Sequence, residues 1–229
     1  MKRMLILVMV GVALLASGSP ANANVSIPAG ELAQRTRYVF EMKDGEGRDH
    51  TVYILATNEK RVIPGTSSWH RTTDRVFRGN YFAAVLTADG KNAVLQNLAL
   101  FGFGNRDSTA GTFNVDGGSA MNKAYVVRAT GDGQPDLLIV AQQVTGGGDA
   151  NIRAFFIDDE ELCLIHWQTQ PGETAKMLNV SGIQPVETAG KLRFLMHGWE
   201  RGPKHSGAVE MIWKFEKYRK TMEVEKTNG

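Results

Sequence analysis

The sequence is poor in cysteine: Cys163 is the only one among 229 residues. A single thiol cannot form an internal disulfide, so the fold must be held together by a packed core rather than by covalent cross-links. Leu162 and Leu164 flank Cys163, and this apolar setting favours a small buried residue over a reactive nucleophile. With 42% hydrophobic residues, the chain has enough apolar side chains to build such a core.

The sequence also lacks the short motifs that mark common active sites. It contains no G-x-S-x-G, P-loop, C-x-x-C or H-E-x-x-H pattern. His197 and His205 are too far apart in sequence, on a glycine-rich stretch, to match the usual spacing of histidine zinc ligands. A hydrolase or carbohydrate-active domain could still assemble its side chains from separate loops, because catalytic groups converge in space rather than in sequence.

The chain has no net charge of either sign once its N-terminal segment is set aside. The whole chain carries 26 Lys+Arg and 24 Asp+Glu. Residues 1–23 contain Lys2 and Arg3 and no acidic residue, so the remainder has 24 basic and 24 acidic side chains. Proteins that bind nucleic acids normally carry a basic face that displaces counterions, and this neutral balance therefore predicts no nucleic-acid partner.

The first 23 residues have the order of a bacterial-type secretory signal peptide. Lys2 and Arg3 precede an uncharged apolar run at 4–16, and the small-residue triplet Ala21-Asn22-Ala23 follows a Ser-Gly-Ser-Pro break. As a helix, that run would span about 20 Å, less than the roughly 30 Å hydrocarbon core of a bilayer. We therefore predict cleavage after Ala23, a periplasmic or secreted mature protein, and no membrane association after cleavage.

Residues 24–229 are predicted to form a single all-β domain. Short runs rich in β-branched and aromatic residues alternate with glycine-bearing turns over most of this length. Helical periodicity is scarce: only 27–34 and 173–178 could each form about two turns, which is marginal without tertiary packing. The stretch 102–122 contains several glycines and few apolar residues, and we interpret it as a long loop.

Two hairpins are predicted from their turn residues. The first would pair residues 37–43 with 51–56, and the second would pair 81–86 with 93–98. In each case an Asp-Gly dipeptide stands between the two apolar runs, and Asp-Gly in that setting is a strong signal for a tight β-turn.

Two longer stretches each hold several strands in succession. The apolar runs between 124 and 167 predict four strands in a meander, and a related order of strands returns between 191 and 225. Units of four short strands that recur roughly every 40 to 60 residues are typical of propeller blades. We therefore predict a propeller-like array of antiparallel four-stranded units, with a β-sandwich built from the same hairpins as the alternative.

One loop carries a recognisable pattern. The string Gly131-Asp132-Gly133-Gln134-Pro135-Asp136, followed by an apolar run at 137–140, resembles a loop of FG-GAP and VCBS repeats, the units of integrin-type propellers. In that family the loop binds calcium in the pattern D-x-[DN]-x-D-G-x-x-D, so the resemblance implies a calcium site with Asp132 and Asp136 as ligands. Arg128 and Thr130 stand at the first two ligand positions, and a cationic side chain cannot coordinate calcium. Without the metal, the same string forms a tight turn.

Two segments combine aromatic and basic side chains and are predicted to contact a partner. One segment contains Trp69, His70 and Arg71, and the other is the glycine-rich loop 198–207. The residues of this loop that we predict to bind are Trp199, Arg201, Lys204 and His205. Exposed Trp and Arg side chains contribute strongly to protein interfaces. Alternatively, both segments shield the edges of a sheet with half-buried aromatic side chains.

These features together predict an exported, non-enzymatic binding protein. Its partner is expected to be a protein or a cell-wall component held by the loops at one end of the sheets. Inhibitor and immunity proteins that block cell-wall hydrolases are of this kind, although a fold does not by itself imply a function. The alternative is a secreted hydrolase or carbohydrate-active domain. The FG-GAP resemblance implies calcium as a cofactor, with a metal-free turn as the alternative, and no other cofactor is indicated.

Overall fold

The computed structural model describes residues 25–63, 73–103, 106–116, 121–130, 133–143, 149–170, 173–181, 185–190, 192–202 and 205–228. The predicted signal peptide lies outside these residues. Within them the chain is almost entirely β-structure, with one short α-helix, α1, at Ala29–Leu32 and one 3-10 helix at Lys217–Arg219. No helix in this part of the chain is long and apolar enough to cross a membrane. The predicted all-β class is confirmed.

The strands of the described residues follow one another in three groups along the chain. The first group is β1 (Ser26–Pro28), β2 (Thr36–Lys43), β3 (Asp49–Val62), β4 (Val76–Leu86) and β5 (Asn92–Leu95). The second is β6 (Phe101–Phe103), β7 (Arg106–Ser108), β8 (Ala110–Asn114), β9 (Lys123–Val127), β10 (Leu137–Gln143), β11 (Asp149–Asp158) and β12 (Glu161–Leu164). The third is β13 (His166–Gln170), β14 (Glu173–Ala175), β15 (Leu178–Ser181), β16 (Glu187–Gly190), β17 (Arg193–Gly202), β18 (His205–Glu216) and β19 (Thr221–Asn228).

The first sheet has six strands in the order β1-β5-β4-β3-β2, with β8 also paired to β4. Both predicted hairpins are confirmed here, since β2 pairs with β3 and β4 pairs with β5, all antiparallel. The prediction of a long loop at 102–122 is wrong for its central part. Strands β6 and β7 form a two-stranded ribbon, and β8 pairs with the first half of β4 because Phe113 can then enter the core.

The second sheet has eleven strands in the order β14-β13-β19-β18-β17-β15-β11-β10-β9, with β12 on β11 and β16 on β17. The two predicted meanders are present as β9-β10-β11-β12 and β17-β18-β19. The short strand β15 pairs with both β11 and β17, so it joins the two meanders into one continuous sheet. The described strands therefore form neither separate four-stranded blades nor a closed propeller, and their arrangement agrees with the β-sandwich alternative.

The outer face of the first sheet is covered by the N-terminal part of the described chain. Leu32 of α1 is buried against Leu55, Ala84 and Ala93 of the sheet. The helix predicted at 27–34 is thus reduced to a single turn, and the one predicted at 173–178 is wrong because that segment begins as strand β14.

Two hydrophobic cores lie on opposite faces of β10 and β11. Leu138 and Val140 enter one core, and the alternate residues Leu137 and Ile139 enter the other. The first, the sandwich core, lies between the first sheet and β9–β12 and takes residues from both, including Met42, Ile54, Tyr81, Phe113, Phe155 and Ile157. The second, the inner core, packs β10 and β11 against β13 and β17–β19 through Phe156, Trp167, Phe194, Trp213 and Phe215. The second sheet therefore folds over on itself.

One buried charge interrupts this apolar packing. Arg153 of β11 is only 2% exposed. Its Nη1 donates to the Ala99 carbonyl oxygen at 2.8 Å, and its Nη2 donates to Oδ1 of Asp107 at 2.6 Å. Lys176 donates to the other oxygen of Asp107 at 2.7 Å. Arg153 thus ties the ribbon β6–β7 and the segment before it to the central strand.

We expect Asp107→Ala to lower the free energy of unfolding by about 2 kcal/mol, because it leaves the buried guanidinium of Arg153 without its counterion. The double variant Arg153→Met/Asp107→Ala should be more stable than Asp107→Ala alone, since the unpaired charge is then gone. Lys176→Ala, which removes only the exposed partner of Asp107, should cost about 0.5 kcal/mol or less. Urea denaturation of the four proteins measures these differences. Equal losses in the single Asp107 variant and the double variant would contradict this account.

Candidate functional site

Two turns, one from each sheet, meet at one end of the molecule. The turn between β2 and β3 comprises residues 44–48, and the described part of the loop between β9 and β10 comprises residues 128–130 and 133–136. The Asp136 backbone N–H donates to the Lys43 carbonyl oxygen at 2.8 Å, and the Lys43 N–H donates to Oδ2 of Asp136 at 2.8 Å. These reciprocal bonds hold the end of an edge strand of the first sheet against the start of a central strand of the second.

The β2–β3 turn is built around the buried carboxylate of Asp44. Its Oδ1 accepts hydrogen bonds from the backbone N–H groups of Glu46 at 2.9 Å and Arg48 at 3.0 Å. Its Oδ2 accepts from Arg48 Nε at 2.7 Å and lies 3.0 Å from His50 Nε2. Burial acts to raise the pKa of Asp44, but the hydrogen bonds from His50 and Arg48 outweigh it and hold the pKa well below its usual range. Gly47 completes the turn with a φ of 82°.

The β9–β10 loop is held by a second buried carboxylate, that of Asp136. Besides the bond from Lys43, its Oδ2 accepts from Arg128 Nη1 at 2.7 Å, and its Oδ1 accepts from the Ala129 N–H at 2.8 Å. Both oxygens are therefore engaged by donors, and Arg128 supplies the positive charge that a calcium ion would supply in an FG-GAP loop. Asp132, the other residue of the predicted calcium site, lies outside the described residues. Among the described residues, no group of three acidic, histidine or cysteine side chains is arranged for a metal.

The two turns enclose a cleft of about 560 Å³, which we call the turn cleft. It is lined by Lys43, Gly45, Glu46, Gly47, Ala129, Thr130, Gly133, Gln134 and Asp136. Lys43 is exposed and forms no ion pair with another described residue, whereas Glu46 is paired with Arg48 at 3.3 Å. Gln134 is buried, and neither polar atom of its side-chain amide has a hydrogen-bond partner in the described structure.

The 3-10 helix borders the turn cleft. A Cβ atom added to Gly45 would lie 3.3 Å from Lys217 Nζ and 3.6 Å from the Gly133 carbonyl oxygen, so glycine permits the close approach of these three groups. Lys217 Nζ also lies 3.2 Å from Oδ1 of Asp158, at the end of β11. The cleft is thus surrounded by the ends of strands from both sheets.

The residues predicted to bind a partner lie elsewhere. Trp199 and Arg201 belong to β17 and His205 belongs to β18, while Lys204 and the group Trp69, His70 and Arg71 lie outside the described residues. The interpretation of 198–207 as a loop is wrong, because β17 and β18 pair without a break up to Gly202 and His205. The β17–β18 hairpin therefore continues to Gly202 and His205, through residues whose glycines had indicated a loop.

The structure places Trp199 and Asp136 at opposite ends of β11. Trp199 pairs with Ser181, and Ser181 pairs in turn with Asp149 at the start of β11. Asp136 directly precedes β10, whose first residues pair with the end of β11. The ten residues of β11 span about 30 Å. The fold therefore does not bring these two segments together into one cleft.

Cys163 packs against the inner core, as expected, but is half-buried rather than buried. Lys220 Nζ donates to its sulfur at 3.2 Å. This hydrogen bond raises the pKa of Lys220, against the opposing effect of burial. The pair lies on β12 and the turn before β19.

Sequence reasoning missed most of the turn cleft. Asp44 and Gln134 both lie in strings that were singled out, as a hairpin turn and as part of an FG-GAP-like loop. Nothing in either string showed that the two turns touch, because the contact joins residues 93 positions apart. A search for buried amides beside glycine turns could have drawn attention to Gln134 only after the strands had been placed.

No protein-family model matches this chain, and neither a curated protein nor a solved structure matches it. The resemblance of residues 131–140 to FG-GAP and VCBS repeats therefore stays a prediction from the residues alone. The function has to be inferred from the geometry of the turn cleft.

The depressed pKa of Asp44 predicts how stability depends on pH. A carboxyl group whose pKa is lowered by folding contributes stability above its unfolded value, near 3.8, and loses that contribution as the pH falls below it. We expect Asp44→Asn to lower the free energy of unfolding by about 1–3 kcal/mol at pH 7. The difference from the wild type should shrink between about pH 4 and pH 2. Asp49→Asn, at an exposed carboxylate on the adjoining strand, is the matched control. A difference that is constant with pH would refute the assignment.

Proposed function

We propose that this protein is exported and acts outside the cytoplasm as a non-enzymatic binding protein that holds a partner protein at the turn cleft. The signal-like order of residues 1–23 supports export to the periplasm or the medium. Inhibition of an enzyme, or immunity against one, is the form of this activity that we favour. A cleft between turns can cover a partner's surface without any chemical step.

The observation that carries the proposal is the state of the polar groups around the cleft. The carboxylates of Asp44 and Asp136 are each held by several donors, which fixes the two turns but leaves neither carboxylate free to act as a general base. Lys43, in contrast, is exposed and forms no ion pair with another described residue. Turns held by such hydrogen bonds are suited to recognition, because little ordering of their described residues is needed when a partner binds.

Electrostatics favours a partner surface that carries acidic groups. Lys43 forms no ion pair with another described residue, whereas Arg48 and Arg128 are already neutralised by Asp44 and Asp136, so the acidic group is expected opposite Lys43. Charge complementarity of this kind raises association rates and selects the correct partner more than it raises affinity. The neutral balance of the chain without residues 1–23 makes this local arrangement, rather than bulk charge, the selective feature.

The charge of Lys43 provides a direct test. The protein without residues 1–23, immobilised as bait, should retain one partner in stoichiometric amount from a periplasmic or medium extract of the source organism. We expect Lys43→Glu to weaken binding of that purified partner at least about tenfold, because it places a carboxylate opposite the partner's acidic group and turns an attraction into a repulsion. Isothermal titration calorimetry measures the change.

Lys60→Glu is the matched control, since Lys60 is an exposed lysine of β3 at the far end of the first sheet. It makes the same charge change away from the cleft and should leave the affinity unaltered. Equal loss of affinity in both variants would indicate a general charge effect and remove the cleft from the proposal. Failure to retain a partner, together with turnover of a glycan or ester substrate, would favour the hydrolase alternative instead.

The proposed function requires no bound calcium ion, and this expectation has its own test. Because Arg128 already neutralises Asp136, we expect the melting temperature of the wild type to be the same in a chelator and in about 1 mM calcium. Removal of the guanidinium in Arg128→Ala should lower the melting temperature in the chelator. A rise of several degrees on addition of calcium to the wild type would instead establish the site implied by the FG-GAP resemblance.

A further inference from the structure

Strand β2 is an open edge of the first sheet. It pairs with β3 on one side, and no described strand pairs with it on the other. It has eight residues, whereas β1, β9 and β14, the strands at the other ends of the two large sheets, have three to five. A long open edge presents main-chain donors and acceptors with which another strand can pair, and proteins usually block or cover such edges.

The free main-chain groups of β2 belong to Val39 and Glu41. At the end of the strand, the N–H and the C=O of Lys43 bond to Asp136 and therefore face away from β3. Main-chain groups alternate in direction along an antiparallel strand, and β2 pairs with β3 without a break from Tyr38 to Lys43. The N–H and C=O groups of Glu41 and Val39 therefore also face away from β3, and no described residue bonds to them.

The fold blocks β2 at both ends of this free stretch. Asp136 occupies the edge at Lys43, and an irregularity in the pairing with β3 lies just before Tyr38. Between these limits the edge is accessible: Val39 is 52% exposed, although valine is among the residues most often buried. The free stretch is therefore short, and its centre is Phe40.

We infer that β2 pairs antiparallel with β2 of a second copy of this chain, and that the two-fold axis passes between the two Phe40 residues. In this register each Val39 is opposite Glu41 of the other copy, and these two residues exchange both main-chain hydrogen bonds. Every free main-chain group of the stretch then has a partner, and the first sheets of the two copies become one continuous sheet. Because the pairing uses the same edge on both copies, it closes as a dimer and does not continue into a fibre.

A second copy fits this edge better than an unrelated strand does. The free donors and acceptors are symmetric about Phe40, so the same stretch supplies each of them with its partner, and the blocked ends of β2 fall outside the pairing. Phe40 is partly buried beside the sandwich core and stacks on Tyr38 at 5.6 Å between ring centroids. On the axis the two Phe40 residues form a non-hydrogen-bonded pair, in which side chains lie closest, so their rings can pack together.

One contact across the axis is unfavourable, and it makes the register testable. The exposed Glu41 carboxylates of the two copies lie diagonally across the axis on the same face of the joined sheet. We expect Glu41→Gln to tighten the dimer about twofold or more, since it removes this repulsion. Added salt should tighten the wild-type dimer more than the Glu41→Gln dimer, because it screens the same repulsion.

Sedimentation equilibrium of the protein without residues 1–23 tests the pairing itself. We expect the wild type to be dimeric at about 100 μM. Val39→Pro should raise the dissociation constant at least about tenfold, because proline removes the free N–H and is tolerated on the open side of an edge strand. The melting temperature of each variant, measured at a concentration where it is monomeric, shows that it is folded.

Val25→Pro is the matched control. Val25 is 51% exposed and precedes β1, at the opposite end of the first sheet, so its substitution should leave the dimer unchanged. A wild type that is monomeric at about 100 μM overturns the inference. So does a Val39→Pro variant that dimerises as well as the wild type, an equal loss in Val25→Pro, or a Glu41→Gln variant whose dimer is no tighter.

The inference is independent of the proposed function, because the turn cleft lies within one copy. If the wild type is monomeric and Val39→Pro abolishes retention of the natural partner, the open edge binds that partner and the inferred dimer is wrong. If the dimer forms as described and no partner is retained, the proposed function fails and the dimer stands.

Discussion

The burial of β10 and β11 on both faces is the constraint on which the rest of the structure depends. Each strand carries apolar side chains to both sides, so each needs two covering layers. The first sheet supplies one layer, and the second sheet supplies the other by folding back on itself. Arg153 is the buried charged residue of these strands, and its bonds to Ala99 and Asp107 attach the ribbon of β6 and β7 and the segment before it.

This layered core also explains why the candidate site lies where the strands end. Side chains of β10 and β11 pack in the two cores, whereas the turns that leave the cores expose backbone and polar groups. The reciprocal bonds between Lys43 and Asp136 join the two sheets at that end and hold the turn cleft in one geometry. Asp44 and Asp136 are satisfied polar groups that maintain this geometry. The buried amide of Gln134, in contrast, has no hydrogen-bond partner in the described structure.

The elements that could be predicted are those specified by neighbouring residues. The Asp-Gly turns located both hairpins of the first sheet, and the apolar runs between 124 and 167 located the β9–β12 meander. The propeller-like arrangement did not follow, because the four residues of β15 are too few to indicate that they pair with two distant strands. The stretch around Trp199 was taken for a loop since its glycines mask a pairing that continues to Gly202.

The sequence by itself determined the all-β class and the local hairpins, because strand periodicity and turn chemistry act over a few residues. It also contained every residue of the turn cleft. Only the tertiary structure decided that Lys43 meets Asp136 across 93 positions of sequence, and that Trp199 lies at the opposite end of β11. Contacts at such separations depend on the register of many strand pairs and on the packing of two cores at once. No short stretch of sequence specifies all of these strand pairings and core contacts together.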